Sequence, residues 1–186
     1  MSTALRLTLD DFDRMIEQGV FDETRDRRIE LINGELREMS PPGPSHEDVI
    51  DLLTDWSTAN VPRERVRVRV QNSIGIPPSE SAPQPDVAWV ERKSYRRRRP
   101  LPAEVLLVIE VADSSLGDDR FVKGPMYAAA GIAEYWIANL PGRCIEVHRD
   151  PRNGKYTDLR SYTLGEGVSP VAFPDLELPV ALLFGE

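Results

Sequence analysis

Two short apolar runs each carry one acid, and this limits the folds open to the chain. Asp86 sits in QPDVAWV and Glu110 in LLVIEVADSS. Both runs have the length and the β-branched, aromatic content of buried strands. A carboxylate inside such a strand is costly unless it is paired, hydrogen-bonded or bound to a metal. Strand alternation puts Asp86, Ala88 and Val90 on one face, with Val87 and Trp89 on the other. Leu106, Val108 and Glu110 likewise share a face. If the two strands pair antiparallel, Asp86 lies opposite Glu110, Ala88 opposite Val108 and Val90 opposite Leu106. Like charges across a ladder repel, so this register calls for a cation or a shared proton. The alternative is that Asp86 merely starts a strand after Pro85 and that Glu110 is a buried structural acid.

The 186 residues suit one domain, 1–186, with residues 1–40 forming an N-terminal helix and hairpin extension packed on the core. A hydrophobic fraction of 40% and a charged fraction of 29% are ordinary for a soluble globular protein. No apolar stretch approaches the roughly 18 residues of a membrane span, and the N-terminus does not read as a signal peptide. Cys144 is the only cysteine, which excludes an internal disulfide and a thiolate metal cluster and suits a reducing cytoplasm. The net charge of −8 argues against a nonspecific nucleic-acid coat, although it leaves room for a local basic site.

Along the chain, TLDDFDRMIEQG predicts a helix capped by Thr8, striped by Leu9, Phe12, Met15 and Ile16, and ended by Gly19. RIELINGELREM predicts a hairpin around Asn33-Gly34. After the rigid loop SPPGPS, Ser45 with Asp48 opens a helix striped by Val49, Leu52, Leu53 and Trp56. RERVRVRVQNSIGI reads as one alternating strand. DDRFVKGPMYAAAG reads as a helix weakened by Gly124 and Pro125. EYWIANL and CIEVHRD are strands joined by Pro141-Gly142, and KYTDLRSYTLGEG reads as a closing hairpin. Strands in runs with helices inserted predict a mixed α+β, α/β-type domain, a central sheet flanked by helices. The helix after the Glu110 strand permits a parallel crossover there.

Magnesium favours oxygen ligands and is often held by one or two carboxylates plus water and phosphate. Asp86, Glu110 and the Val111 carbonyl form such a candidate set. Asp119, Lys123 and Tyr127 recur every four residues and share a helix face, so Lys123 either serves the acids or pairs with Asp119 in solvent. Arg63, Arg65, Arg67 and Arg69 alternate with valines, and Arg92, Lys93 and Arg96–Arg99 make a basic loop. Arg67, Arg69, Arg96 and Arg97 are candidate phosphate contacts, the alternative being an exposed strand face paired with the chain's many acids for the first two and a solvated charged loop for the others. His46, at the start of the second helix, is either functional or a polar first-turn residue.

RIELINGELREMSPPGPSH, QPDVAWV, LLVIEVADSS and DDRFVKGPMYAAAGIAEYWIANL, in this order, resemble the large bacterial family of restriction-type endonucleases with the PD-(D/E)XK nuclease fold. The similarity runs over nearly the whole chain. It implies a mixed central sheet, a Mg²⁺ (or Mn²⁺) site and hydrolysis of DNA phosphodiester bonds. Asp86 matches the acid of the PD motif, Glu110 the (D/E) position, Glu30 the acid of the N-terminal hairpin, Lys123 a lysine of the following helix and His46 a histidine after the SPP loop. The chain departs from the pattern at Ala112, which stands where the (D/E)XK lysine would be, at Asp113-Ser114-Ser115, and at Asn139. Two other readings stand beside the endonuclease: a catalytically silent nuclease-fold binding or assembly protein, and a small-nucleotide phosphodiesterase. A homodimer that covers a sheet edge is a further expectation.

Overall fold

The alternating runs named above build one six-stranded sheet. The computed structural model describes residues 5–22 and 27–185. In chain order the elements are α1 (Leu9–Glu17), β1 (Ile29–Ile32), β2 (Glu35–Glu38), α2 (Pro44–Asn60), β3 (Val66–Val70), β4 (Val87–Glu91) and β5 (Val105–Ala112). Next come α3 (Leu116–Asp118), a π-helical turn (Asp119–Lys123), α4 (Gly124–Ala129), β6 (Glu134–Asn139) and β7 (Cys144–Arg152). The chain ends with β8 (Lys155–Tyr162), β9 (Gly167–Val168), β10 (Leu178–Pro179) and α5 (Val180–Phe184). The sheet order is β3-β4-β5-β6-β7-β8. Only β5 and β6 run parallel, joined by the α3–α4 crossover; the other neighbours are antiparallel. This is the mixed sheet with flanking helices that the sequence predicts.

Side-chain alternation divides the core into two layers. On one face Val87, Trp89, Leu107, Ile109 and Val111 meet Val49, Leu53 and Trp56 of α2 and Leu183 and Phe184 of α5. Trp56 and Trp89 stack at 5.6 Å, and Trp89 Nε1 donates to Ser57 Oγ at 3.0 Å. On the other face Ala88, Val90, Val108 and Ala112 meet Met126 and Tyr127 of α4. Fully burying a side chain of this size stabilises by roughly 1.5–3 kcal/mol, so each layer is a substantial part of the fold's stability.

The N-terminal elements follow their local chemistry. Thr8 and Asp11 form a reciprocal capping box on α1. Asn33 and Gly34 both take positive φ, 52° and 77°, as a type I′ hairpin turn requires. The hairpin attaches through the Leu31–Ala82 bridge and a small cluster of Phe12, Leu31 and Ala82. Residues 1–4 and 23–26 of the expected N-terminal extension, and residue 186, lie outside the described residues.

Four expectations need correction. Helix α2 starts one residue early: Gly43 is the N-cap and Pro44 occupies the first turn, so proline's fixed φ, not a Ser45–Asp48 cap, sets the start. β3 is only Val66–Val70, because Gln71 turns away at φ 52°. Val90 faces Val105 instead of Leu106, since a bulge falls between Trp89 and Val90. KYTDLRSYTLGEG is not a hairpin of its own. Its strand β8 pairs with β7 across Asn153-Gly154, both at positive φ, while Gly167 and Val168 pair with Pro179 and Leu178.

Candidate active site

Away from the bulge the β4–β5 register is the predicted one, with Ala88 against Val108 and Val87 against Ile109. One step further it brings Asp86 beside Glu110. Asp86 N donates to Glu110 Oε2 at 3.3 Å, and Val111 N donates to Asp86 Oδ2 at 2.9 Å. Both side chains are buried, 3% and 2% exposed. The two strands therefore lock the acids together through each other's backbone.

Lys123 arrives from the π-helical turn. Gly124 N–H bonds the Asp119 carbonyl, five residues back, instead of closing an α-turn. Pro125 has no N–H with which to continue the ladder, so the wider turn precedes a proline. From there Lys123 Nζ lies 3.1 Å from Glu110 Oε1, 3.7 Å from Asp119 Oδ1 and 3.8 Å from Glu30 Oε1. Tyr127 donates to the same Glu110 oxygen at 2.9 Å. Glu30 enters from β1, and its Oε2 accepts Gln84 N–H at 3.1 Å. Asp119 Oδ2 accepts the Ser115 hydroxyl at 2.7 Å.

The opposite wall is cationic. His46 Nε2 lies 3.4 Å from Asp86 Oδ2, and Arg28 Nη1 lies 4.0 Å from Asp86 Oδ1. Arg37 on β2 pairs with Asp118 on α3 at 2.8 Å. These residues line a cleft of about 620 Å³ whose walls are the hairpin, the Ser40–Gly43 loop and the start of the crossover.

The charges in this cleft hold one another away from their ordinary pKa values. Burial pushes Glu110 up to about 8; Lys123 opposes this, and Asp86, Asp119 and Glu30 add to it. Burial likewise lifts Asp119 to about 6. Burial works to raise Asp86 as well, but hydrogen bonds from His46 and Val111 N–H outweigh it and keep Asp86 below its usual value. His46 is raised, chiefly by its hydrogen bond to Asp86. Burial works to lower Lys123, yet Glu110, Glu30 and Asp119 raise it, so it stays an ammonium.

Among the described residues no three His, Cys, Asp or Glu side chains form a ready-made metal cage. The donors at the cleft floor nevertheless suit a hard cation. They are carboxylate oxygens, and burial, with Asp86, Asp119 and Glu30 nearby, works against the Glu110 anion in a way that a divalent ion beside it would offset.

Of the sequence candidates, the structure brings Asp86, Glu110, Val111, Lys123, Glu30 and His46 into one cleft. Arg67, Arg69, Arg96 and Arg97 do not line it. Arg67 lies across from Val90, and the Arg69 guanidinium sits 5.7 Å from the Tyr95 ring. Arg96 and Arg97 are exposed on the β4–β5 loop, at the end of β4 away from Asp86. Asn139 bonds Glu146 Oε1 at 2.6 Å, outside the acid cluster. Sequence reasoning missed Arg28 and Arg37. A signal was present: Arg37 is the cross-strand partner of Glu30 once the Asn-Gly turn sets the register, and Arg28 precedes Glu30 by two, just ahead of β1.

A profile of the Uma2 family, described as "Putative restriction endonuclease", matches residues 9–181. No curated protein matches the chain. Among solved structures, the crystal structure of "a putative nuclease belonging to DUF820" from Anabaena variabilis ATCC 29413 is similar, with a TM-score of 0.76 and 16% identity over 96% of this chain and 97% of that one. At that identity the likeness is one of fold. With the family profile spanning nearly all of its length, the chain belongs to the Uma2 family.

Proposed function

We propose that this chain is a divalent-metal-dependent nuclease that hydrolyses DNA phosphodiester bonds at the Asp86–Glu110 cleft. The observation that carries the reading is the convergence of Asp86, Glu110 and Lys123 at a buried floor, from two strands and a π-helical turn. Asp86 and Glu110, with the Val111 carbonyl, would hold Mg²⁺ or Mn²⁺. When bound, such an ion lowers the pKa of a water ligand and offsets charge developing on a phosphoryl group.

The chain's own residues have separate parts in this reading. Lys123 presents a permanent ammonium 3.1 Å from Glu110, where it orients an attacking water or meets a developing oxyanion. It stands in for the lysine that Ala112, buried in the core, cannot supply. His46 fixes Asp86 Oδ2 and keeps that carboxylate ionised. Glu30 and Asp119 hold Lys123 from either side. Tyr127 aims Glu110 by its hydroxyl.

Plasmid and oligonucleotide substrates incubated with the purified protein, with and without Mn²⁺, test this function. Metal-dependent cleavage that disappears in Asp86→Asn supports it. Cleavage indifferent to metal or to Asp86 refutes it.

A further inference from the structure

We infer that the free edge of β8 is a self-association surface: two copies of this chain pair antiparallel about Leu159 and join their six-stranded sheets edge to edge. The inference does not depend on the nuclease reading. Three features of the strand carry it.

The first is an unguarded edge. β8 closes the sheet order and runs for eight residues, Lys155–Tyr162. Among the described residues its only backbone partner is β7. An edge of this length is a template for another strand, and proteins usually blunt it with a proline, a bulge or a central lysine. β8 has no proline, and its pairing with β7 holds one register from Ile145–Tyr162 to Arg152–Lys155. Its only lysine, Lys155, stands beside the hairpin turn.

The second is self-complementary charge. An antiparallel register centred on Leu159 sets Asp158 opposite the partner's Arg160, and Arg160 opposite the partner's Asp158. Thr157 then faces the partner's Ser161. Within one chain Arg160 Nε already lies 3.0 Å from Asp158 Oδ1, so the four charges alternate in sign around a square. Opposite charges across a ladder stabilise it, and like charges destabilise it. The other edge strand shows the contrast. Centred on Val68, a β3 pair sets Arg67 against Arg69, and the two repel.

The third is apolar surface on the same strand. Leu159 is 61% exposed and stands across from His148, on the α4 side of the sheet. Beside it Phe121 of the π-helical turn is 77% exposed. Both line a groove of about 690 Å³ with Pro125, Val147 and Tyr156. Clustered large apolar side chains at a surface mark a contact site. A two-fold axis at Leu159 sets the two leucines against each other and brings the two grooves side by side, as an isologous interface requires.

Light scattering on size-exclusion fractions, over a dilution series of the full chain, tests the inference. The wild type should show twice the monomer mass and dissociate on dilution. Asp158→Arg and Arg160→Asp each turn two symmetric attractions into repulsions, so each should raise the dissociation constant about tenfold or more. The double variant D158R/R160D exchanges the signs and should recover the dimer. Leu159→Arg, which places two like charges on the axis, should give a monomer. All these positions are solvent-exposed, so thermal melts should stay near wild type and separate lost association from lost fold. A monomeric wild type, a dimer indifferent to the single substitutions, or a double variant no tighter than the single ones overturns the inference.

Discussion

Tyr127 donates its hydroxyl to Glu110 Oε1 at 2.9 Å, the same oxygen that Lys123 approaches at 3.1 Å. One carboxylate oxygen thus takes both donors from the crossover, while its partner Oε2 receives Asp86 N–H. Removing the hydroxyl with Tyr127→Phe leaves the fold's apolar contacts in place and loosens Glu110. The expected result is a stability loss of about 1 kcal/mol, with turnover falling more steeply than substrate affinity. Urea unfolding and a comparison of kcat with KM read the two effects; unchanged kcat contradicts the positioning role.

Lys123 is the one lysine facing Glu110, Glu30 and Asp119. Lys123→Met should lower cleavage at least 100-fold, about 2.7 kcal/mol of transition-state stabilisation. In the metal-free protein it should also leave the acid cluster more easily protonated. Activity within a few-fold of wild type would transfer the role to another cation.

The metal-free protein should lose stability as pH rises from about 5 to about 8. Glu110 titrates near 8 and Asp119 near 6 in the folded chain, above their unfolded values, so the folded state binds more protons across that window. Stability therefore falls as each acid ionises in its buried setting. Thermal melts at pH 5, 6.5 and 8 read the slope. Glu110→Gln should flatten its upper part, and a melt that rises with pH between 6.5 and 8 would rule the account out.

The π-helical turn ahead of Pro125 sets where Lys123 points. Pro125→Ala restores an N–H and lets a regular α-helix continue, which rotates Lys123 relative to Glu110. Thermal stability should hold or rise while cleavage drops about tenfold or more. Wild-type cleavage in a stably folded variant would show that the turn is not needed for Lys123.

A buried ion pair far from the cleft supports the sheet. Glu134 is fully buried and accepts Arg149 Nε at 2.7 Å, Trp136 Nε1 at 2.8 Å and Val171 N at 2.7 Å. Arg149→Leu strands that carboxylate without its cation and should cost about 3 kcal/mol. The midpoint of urea denaturation measures it, with cleavage per folded molecule unchanged.

Much of this was legible in the chain because its strands are written in period-two alternation. The pairing of Asp86 with Glu110 follows from two faces that must both find apolar neighbours, and the crossover from the helix between β5 and β6. What escaped depends on local backbone chemistry. The bulge between Trp89 and Val90, the early stop of β3 at Gln71 and the π-turn before Pro125 are each a one-residue departure that a repeating pattern does not encode. Arg28 and Arg37 were missed for a different reason. The denser arginines of the β3 strand and the β4–β5 loop draw the eye, yet register across the Asn33-Gly34 turn, not local charge density, decides which cations face the acids.

Titration calorimetry with Mn²⁺ tests the central claim most directly, that Asp86 and Glu110 serve one cation. Wild-type protein should bind Mn²⁺ with a release of protons that grows as pH is lowered, because burial raises Glu110 and a bound cation favours its ionised form. Glu110→Gln and Asp86→Asn should each abolish that binding. A wild type that binds no Mn²⁺, or variants that bind it as the wild type does, would contradict the account.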